Sequence, residues 1–198
     1  GVQTCALPIC SFTHAGPTSI LSSTLTLAPN SLAAAPVFTG SSAINLQTSG
    51  TAFILDNTAA TGSFTVGNGA TGVNFLARDA TVQSNRSAGY DTTLALGATY
   101  RAPTATGIFN FLNSVSPVSG VAATMYSTAD LTNRISVAGS GAGVIDQGLF
   151  ITTGTHTDFA YRNAAGYVTT ASYGFSAGTS FSTGSATLGR SEEHTSEL

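Results

Sequence analysis

Alternation with a period of two runs through most of this chain, and no stretch carries a sustained helical stripe. It begins at "STLTLA" (23–28) and continues through "AFILD" (52–56), "SFTVG" (63–67), "GVNFLA" (72–77) and "TTLALGATY" (92–100). "GIFNFL" (107–112), "RISVAG" (134–139), "GLFITT" (148–153), "DFAYR" (158–162) and "GYVTTASY" (166–173) extend it. In an extended chain such alternation puts one side-chain set on one face, and β-branched and aromatic residues fit a pleated, half-buried surface. Turn-forming stretches such as "NTAATG", "GNGATG", "SNRSAG", "AGSGAG" and "RNAAG" separate the segments. The best helical stretch, 73–86, contains Thr81, Val82, Ser84 and Asn85 and has no 3.6-residue stripe. The predicted fold class is therefore all-β.

Many short strands fold either as a sandwich or as a stacked solenoid. Phe53, Phe64 and Phe75 stand eleven residues apart, and Asn57, Asn68 and Asp79 each follow a Phe by four. In a solenoid, equivalent side chains of successive coils lie above one another, so interior aromatics and turn residues stack. Ser, Thr, Ala and Gly fill more than half the chain, and small residues permit close stacking. The expectation is a parallel β-helix (β-solenoid), with a β-sandwich as the alternative.

The two tips differ from everything between them. Both cysteines, Cys5 and Cys10, lie in the first ten residues, and all three glutamates, Glu192, Glu193 and Glu197, in the last nine. Codons can be chosen for Gly1 to Ile9 whose reverse complement encodes Arg190 to Leu198 without a mismatch. That DNA string resembles a common short-read sequencing adapter. Residues 1–9 and 190–198 are accordingly expected to be adapter-derived and to take no part in the fold. Residues 10–189 are expected to form a single β-repeat region, a fragment of a longer protein. No Cys5–Cys10 disulfide is inferred.

Between the tips the charged residues are five arginines (Arg78, Arg86, Arg101, Arg134, Arg162) and six aspartates (Asp56, Asp79, Asp91, Asp130, Asp146, Asp158). No basic face exists to neutralise phosphates, which argues against nucleic acid as a partner. With 42% hydrophobic residues there is enough apolar material for a core. No run approaches the roughly 18 apolar residues of a membrane span, so no membrane insertion is expected within this segment.

The motifs that resemble chemical sites lack their context. "GNGATG" (67–72) fits G-x-G-x-x-G, with Asp91 beyond it, but the residues after it read as strand rather than the helix whose N-terminus meets a pyrophosphate. "AGSGAG" (138–143) lacks the Lys-Ser/Thr of a phosphate loop. In "THTD", His156 and Asp158 stand two apart, which on a strand places them on one side as a candidate acid–base pair. These two are the candidate catalytic residues, if the chain is an enzyme at all. No activated-serine motif accompanies them, and no ligand set has metal spacing. No cofactor or metal is expected.

The segment "TDFAYRNAAGYV", within 143–174, resembles segments of bacterial β-strand-repeat surface proteins, including those with autotransporter-associated repeats. The resemblance implies a secreted or cell-surface bacterial location and a β-helical, adhesin-like passenger or stalk. It implies a structural or adhesive role without catalysis, with surface glycans or other cell-surface proteins as partners. The alternatives are a carbohydrate-active β-helix enzyme (polysaccharide lyase or hydrolase) and a glycan-binding module.

Overall fold

The structure is a computed structural model and describes residues 11–12, 15–28, 37–38, 43–87, 90–112, 133–153 and 156–170. Residues 1–9 and 190–198, to which the adapter reading applies, lie outside the described residues, as do His14 and Asp130. The described residues form strands and turns and no helix. In chain order the strands are β1 (Ser11–Phe12), β2 (Thr18–Ile20), β3 (Thr24–Leu27), β4 (Val37–Phe38), β5 (Ala43–Leu46), β6 (Ala52–Asp56), β7 (Phe64–Val66) and β8 (Gly72–Phe75). Next come β9 (Ala80–Asn85), β10 (Thr92–Arg101), β11 (Gly107–Leu112), β12 (Asn133–Ala138), β13 (Gly143–Val144), β14 (Leu149–Thr153), β15 (His156–Arg162) and β16 (Val168–Thr170).

Two sheets carry most of these strands. One runs β12-β10-β8-β5-β2, with β7 also on β10, and the other runs β13-β15-β14-β11-β9-β6-β3, with β16 on β15. Every pairing among β1 to β12, and that of β11 with β14, is parallel. Between the described strands, antiparallel pairing is confined to β15 with β13, β14 and β16; one isolated antiparallel bridge joins Ser136 to Tyr167. Adjacent parallel strands need a connection that crosses over. Here that connection is the rest of one pass of the chain, which visits the other sheet before returning.

The registers measure the pass. In the second sheet Leu25 pairs with Phe53, Phe53 with Val82 and Val82 with Phe109. In the first, Thr18 pairs with Ile44, Ile44 with Val73 and Val73 with Thr99. Side-chain bonds between passes keep the same spacing. Gln47 reaches back 28 residues to Ser19, Asn74 reaches back 29 residues to Asn45, and Asn110 reaches back 27 residues to Gln83. Ser22 and Thr48 meet at a separation of 26. One pass therefore takes 26 to 29 residues, which corrects the eleven-residue reading. Phe53, Phe64 and Phe75 lie on three successive strands, β6, β7 and β8, and do not stack in one row.

Side chains alternate inward and outward as the pleat requires. Phe53, Val82 and Phe109 are fully buried in register, with Leu25 and Ile151 continuing the row at either end. Ile44, Leu46, Val73 and Phe75 form the facing inner rows of the first sheet. The two sets meet where the Phe75 and Phe109 rings pack edge to face, 5.6 Å apart at 74°. Burying each such side chain contributes roughly 1.5–3 kcal/mol. β10 joins the two halves of the first sheet. Its first residues pair with β7 and β12, its last with β8, and the register slips between Ala95 and Ala98. Gly97 stands at that slip, as glycine within a strand often does.

Gly67 shows how closely the passes approach at a turn. Its φ is +89°, and a Cβ there would collide with the carbonyl oxygen of Ala95 on the next pass. Gly50 also has positive φ, +74°, but has open space around it. Gly67→Ala is expected to destabilise by at least about 2 kcal/mol, and Gly50→Ala by only about 1 kcal/mol. Urea unfolding midpoints of the two variants measure the difference.

Candidate functional site

The outward residues of the parallel strands line up as the inward ones do. On the second sheet Thr26, Ile54, Gln83, Asn110 and Thr152 stand in one row, continued by Thr157 on β15. Asn110 Nδ2 donates to Gln83 Oε1 at 2.8 Å, Gln83 Nε2 donates to Asn85 Oδ1 at 2.8 Å, and the Thr152 and Thr157 hydroxyls lie 3.2 Å apart. Beside this row the Phe150 and Phe159 rings stack, 5.5 Å apart at 27°, with Phe159 exposed. On the first sheet Ser19, Asn45, Asn74 and Tyr100 form a similar outward row. Asn74 Nδ2 donates to Asn45 Oδ1 at 2.8 Å, and Tyr100 is 55% exposed at the end of the row. Apart from Ile54, these rows place uncharged amide and hydroxyl groups about 4.8 Å apart; that of the first sheet ends at the exposed Tyr100 ring, and that of the second is flanked by the exposed Phe159 ring. Such a surface offers donors, acceptors and an apolar platform to a polyhydroxylated ligand, without a charge to select a charged one.

The sequence-derived acid–base candidates lie on β15. His156 pairs with Thr153 and Asp158 with Ile151, both across the antiparallel ladder to β14. The Asp158 carboxylate accepts from the backbone N–H of Phe159 at 2.7 Å; the His156 side chain lies outside the described residues. The other described aspartates are engaged locally. Asp56 accepts from the N–H and hydroxyl of Thr58, and Asp79, at φ +57°, accepts from the Thr106 hydroxyl. Asp91 pairs with Arg134 at 3.2 Å. Among the described residues no three of His, Cys, Asp and Glu gather as metal ligands would. The "GNGATG" turn leads from β7 into β8 rather than into a helix, and the Gly69 N–H donates to the Ala95 carbonyl. No pyrophosphate-binding helix N-terminus exists there.

The sequence reading named neither ion pair, Asp91–Arg134 nor the more buried Arg101–Asp146. Arg101 Nε donates to Asp146 Oδ1, while Arg101 Nη1 reaches the carbonyls of Ala102, Pro103 and Ala105. Asp146 also accepts from the Gly148 N–H at 2.8 Å. Partial burial pushes the Asp146 carboxyl up. The Gly148 N–H, the Arg101 hydrogen bond and the Arg101 charge together outweigh it and hold the group below its ordinary 3.8. A depressed carboxylate contributes stability that is fully present above its unfolded value and lost as pH falls through its folded one. Acidification below about pH 4 is therefore expected to lower the urea midpoint. The drop should be smaller in Asp146→Asn, which has no carboxylate to protonate there.

Comparison with protein-family models, with curated proteins and with solved structures gave no match to this chain. Among the described residues no helix is long and apolar enough to cross a membrane.

Proposed function

We propose that this chain is a structural and adhesive segment of a secreted or cell-surface bacterial β-solenoid protein. The observation that carries the reading is the parallel register that recurs in both sheets once per pass of 26 to 29 residues. Stacked coils of a β-helix produce such registers, whereas the hairpins of a sandwich pair antiparallel. The same register supports the adhesive part. It repeats Asn, Gln, Thr and Ser along the outer faces, so that one weak contact to a glycan hydroxyl recurs from coil to coil. Many weak contacts on a rigid support gain avidity without any single deep pocket.

The chemistry of the rows favours neutral surface glycans as the partner. Of the carboxylates, Asp56 is held by its own turn, Asp79 by the Thr106 hydroxyl, and Asp91 and Asp146 by arginines, which favours binding over cleavage. The test is adhesion to immobilised polysaccharides, comparing beads that carry many copies of the protein with the protein free in solution. Beads are expected to adhere while the free protein binds weakly, and the polysaccharide is expected to remain intact. Depolymerisation of the polysaccharide would establish the lyase or hydrolase alternative instead. Failure of the beads to adhere to any glycan surface would remove the adhesive part.

A further inference from the structure

We infer that residues 143–170 form a cap, which stops parallel stacking among the described residues and shields the last parallel strand edges there from pairing with a second copy of this chain. The inference rests on the pairing pattern, not on the adhesive reading. In a parallel stack the final strand of each row leaves a line of unpaired N–H and C=O groups, which is a template for another chain. Here, among the described residues, each row meets something other than a further parallel strand.

On the second sheet, the edge where the next parallel strand would add to β14 is occupied by β15, which runs antiparallel and is itself flanked by β13 and β16. On the first sheet, the outer edge of β12 is engaged by the chain around residue 166. The Val137 N–H donates to the Gly166 carbonyl at 2.9 Å, Arg162 Nε donates to the Val137 carbonyl at 2.8 Å, and Ser136 bridges Tyr167 antiparallel. Arg134 of β12 lies over the Tyr167 ring, 5.6 Å from its centre. The third closure is Arg101. The inner row Ile20, Leu46 and Phe75 continues in register to Arg101, so an arginine stands where another apolar residue would invite a further layer. Its guanidinium is consumed by three carbonyls and Asp146. Ala160 and Val168 of the antiparallel layer are buried in the common core, and Ile145 packs against it, so the layer also seals the apolar interior.

Three arginines therefore fasten the layer at which parallel pairing stops among the described residues, each through backbone carbonyls, a carboxylate or a ring. Loosening the layer should uncover the edges without disturbing the passes beneath. The experiment uses the full chain with Arg162→Ala and Asp146→Ala combined, read by amide hydrogen exchange and sedimentation velocity. Exchange in 156–170 is expected to accelerate at least about tenfold while β6 and β9 keep their protection. The sedimentation distribution is expected to shift to larger species than the unaltered chain. Adding Thr152→Lys, which puts a charge on the outward row of β14, should reverse that association and leave exchange fast.

Gly148→Ala is a gentler second test. A Cβ there would lie 2.6 Å from Arg101 Nε, while every hydrogen-bonding group remains. It should give the same local acceleration to a smaller degree, and it decides the matter if the double variant does not fold. Acceleration spread equally over β6 and β9, unchanged exchange in 156–170, or fast local exchange without association would each overturn the cap.

Discussion

Replacing Phe109 with alanine is expected to lower the unfolding free energy by about 3–5 kcal/mol, measured by urea or guanidinium denaturation. The ring is fully buried, meets Phe75 edge to face at 5.6 Å, and stands in register between Val82 and Ile151. Its removal takes away apolar contact with the strands before and after it and with the facing sheet. The edge-to-face pair adds about 0.5–1.5 kcal/mol beyond area alone. Collapse cannot easily refill the space, because backbone hydrogen bonds on both sides fix the strand spacing. Phe159→Ala is the matched control. That ring is 42% exposed on the outer face and stacks on Phe150, so its loss is expected to cost only about 0.5–1.5 kcal/mol. Equal losses in the two variants would contradict the inward and outward assignment of the second sheet.

Asn133→Leu is expected to cost about 3 kcal/mol or more, although it keeps the same number of heavy atoms and adds apolar surface. The Asn133 amide Nδ2 donates to the carbonyls of Ser84 and Leu112, each at 3.0 Å, and its Oδ1 lies 2.6 Å from the Ser84 hydroxyl. Asn133 and Ser84 are both buried. Leucine would strip bonds from two carbonyls and a hydroxyl inside the protein, and each buried group left unsatisfied costs about 1–3 kcal/mol. Ser84→Ala alone should be much milder, near about 1 kcal/mol, because the amide still reaches both carbonyls. In the double variant the effects should fall short of additive, since the hydroxyl bond can be lost only once. Full additivity would mean that the two side chains act separately.

Ser84 also explains part of what sequence reading missed. β9 spells "ATVQSN", in which Ala80, Val82 and Ser84 point inward and Thr81, Gln83 and Asn85 outward. A small residue and a hydroxyl on the inner face blur the alternation, so this stretch read only as a poor helix. Where the inner face is uniformly apolar, as in "AFILD" and "GIFNFL", the sequence boundaries coincide with β6 and β11. The period was harder to read than the strands. Leu25, Phe53, Val82, Phe109 and Ile151 share one row, yet only two of them are the same residue. Any apolar side chain of fitting volume satisfies such a row, so the repeat is held by register and leaves little trace in identity. The Arg101–Asp146 pair was illegible for a related reason. Its members stand 45 residues apart, and nothing local to "YR" or "VIDQG" announces that the next pass will bring them together. The polar outer rows likewise needed the register before their amides could be aligned.

Asn133 has one more implication, at the place where it meets Leu112. Elsewhere partners on adjacent passes are separated by 26 to 29 residues. The interval from Phe109 to its partner Ile151, and from Thr92 to Asn133, is nearly half as long again. The ladders on either side keep their pairing across this longer interval, pinned by one amide at the point of exit and return. The fold therefore counts strands and not residues. Added chain between strands carries mainly loop-closure entropy, about 0.6 kcal/mol for each doubling of length. One inserted residue within a strand would instead turn every later side chain to the wrong face. Length variation is cheap between strands and prohibitive within them, so the interval between Leu112 and Asn133 is a natural splice point at which this scaffold could acquire new sequence while its frame stays unchanged.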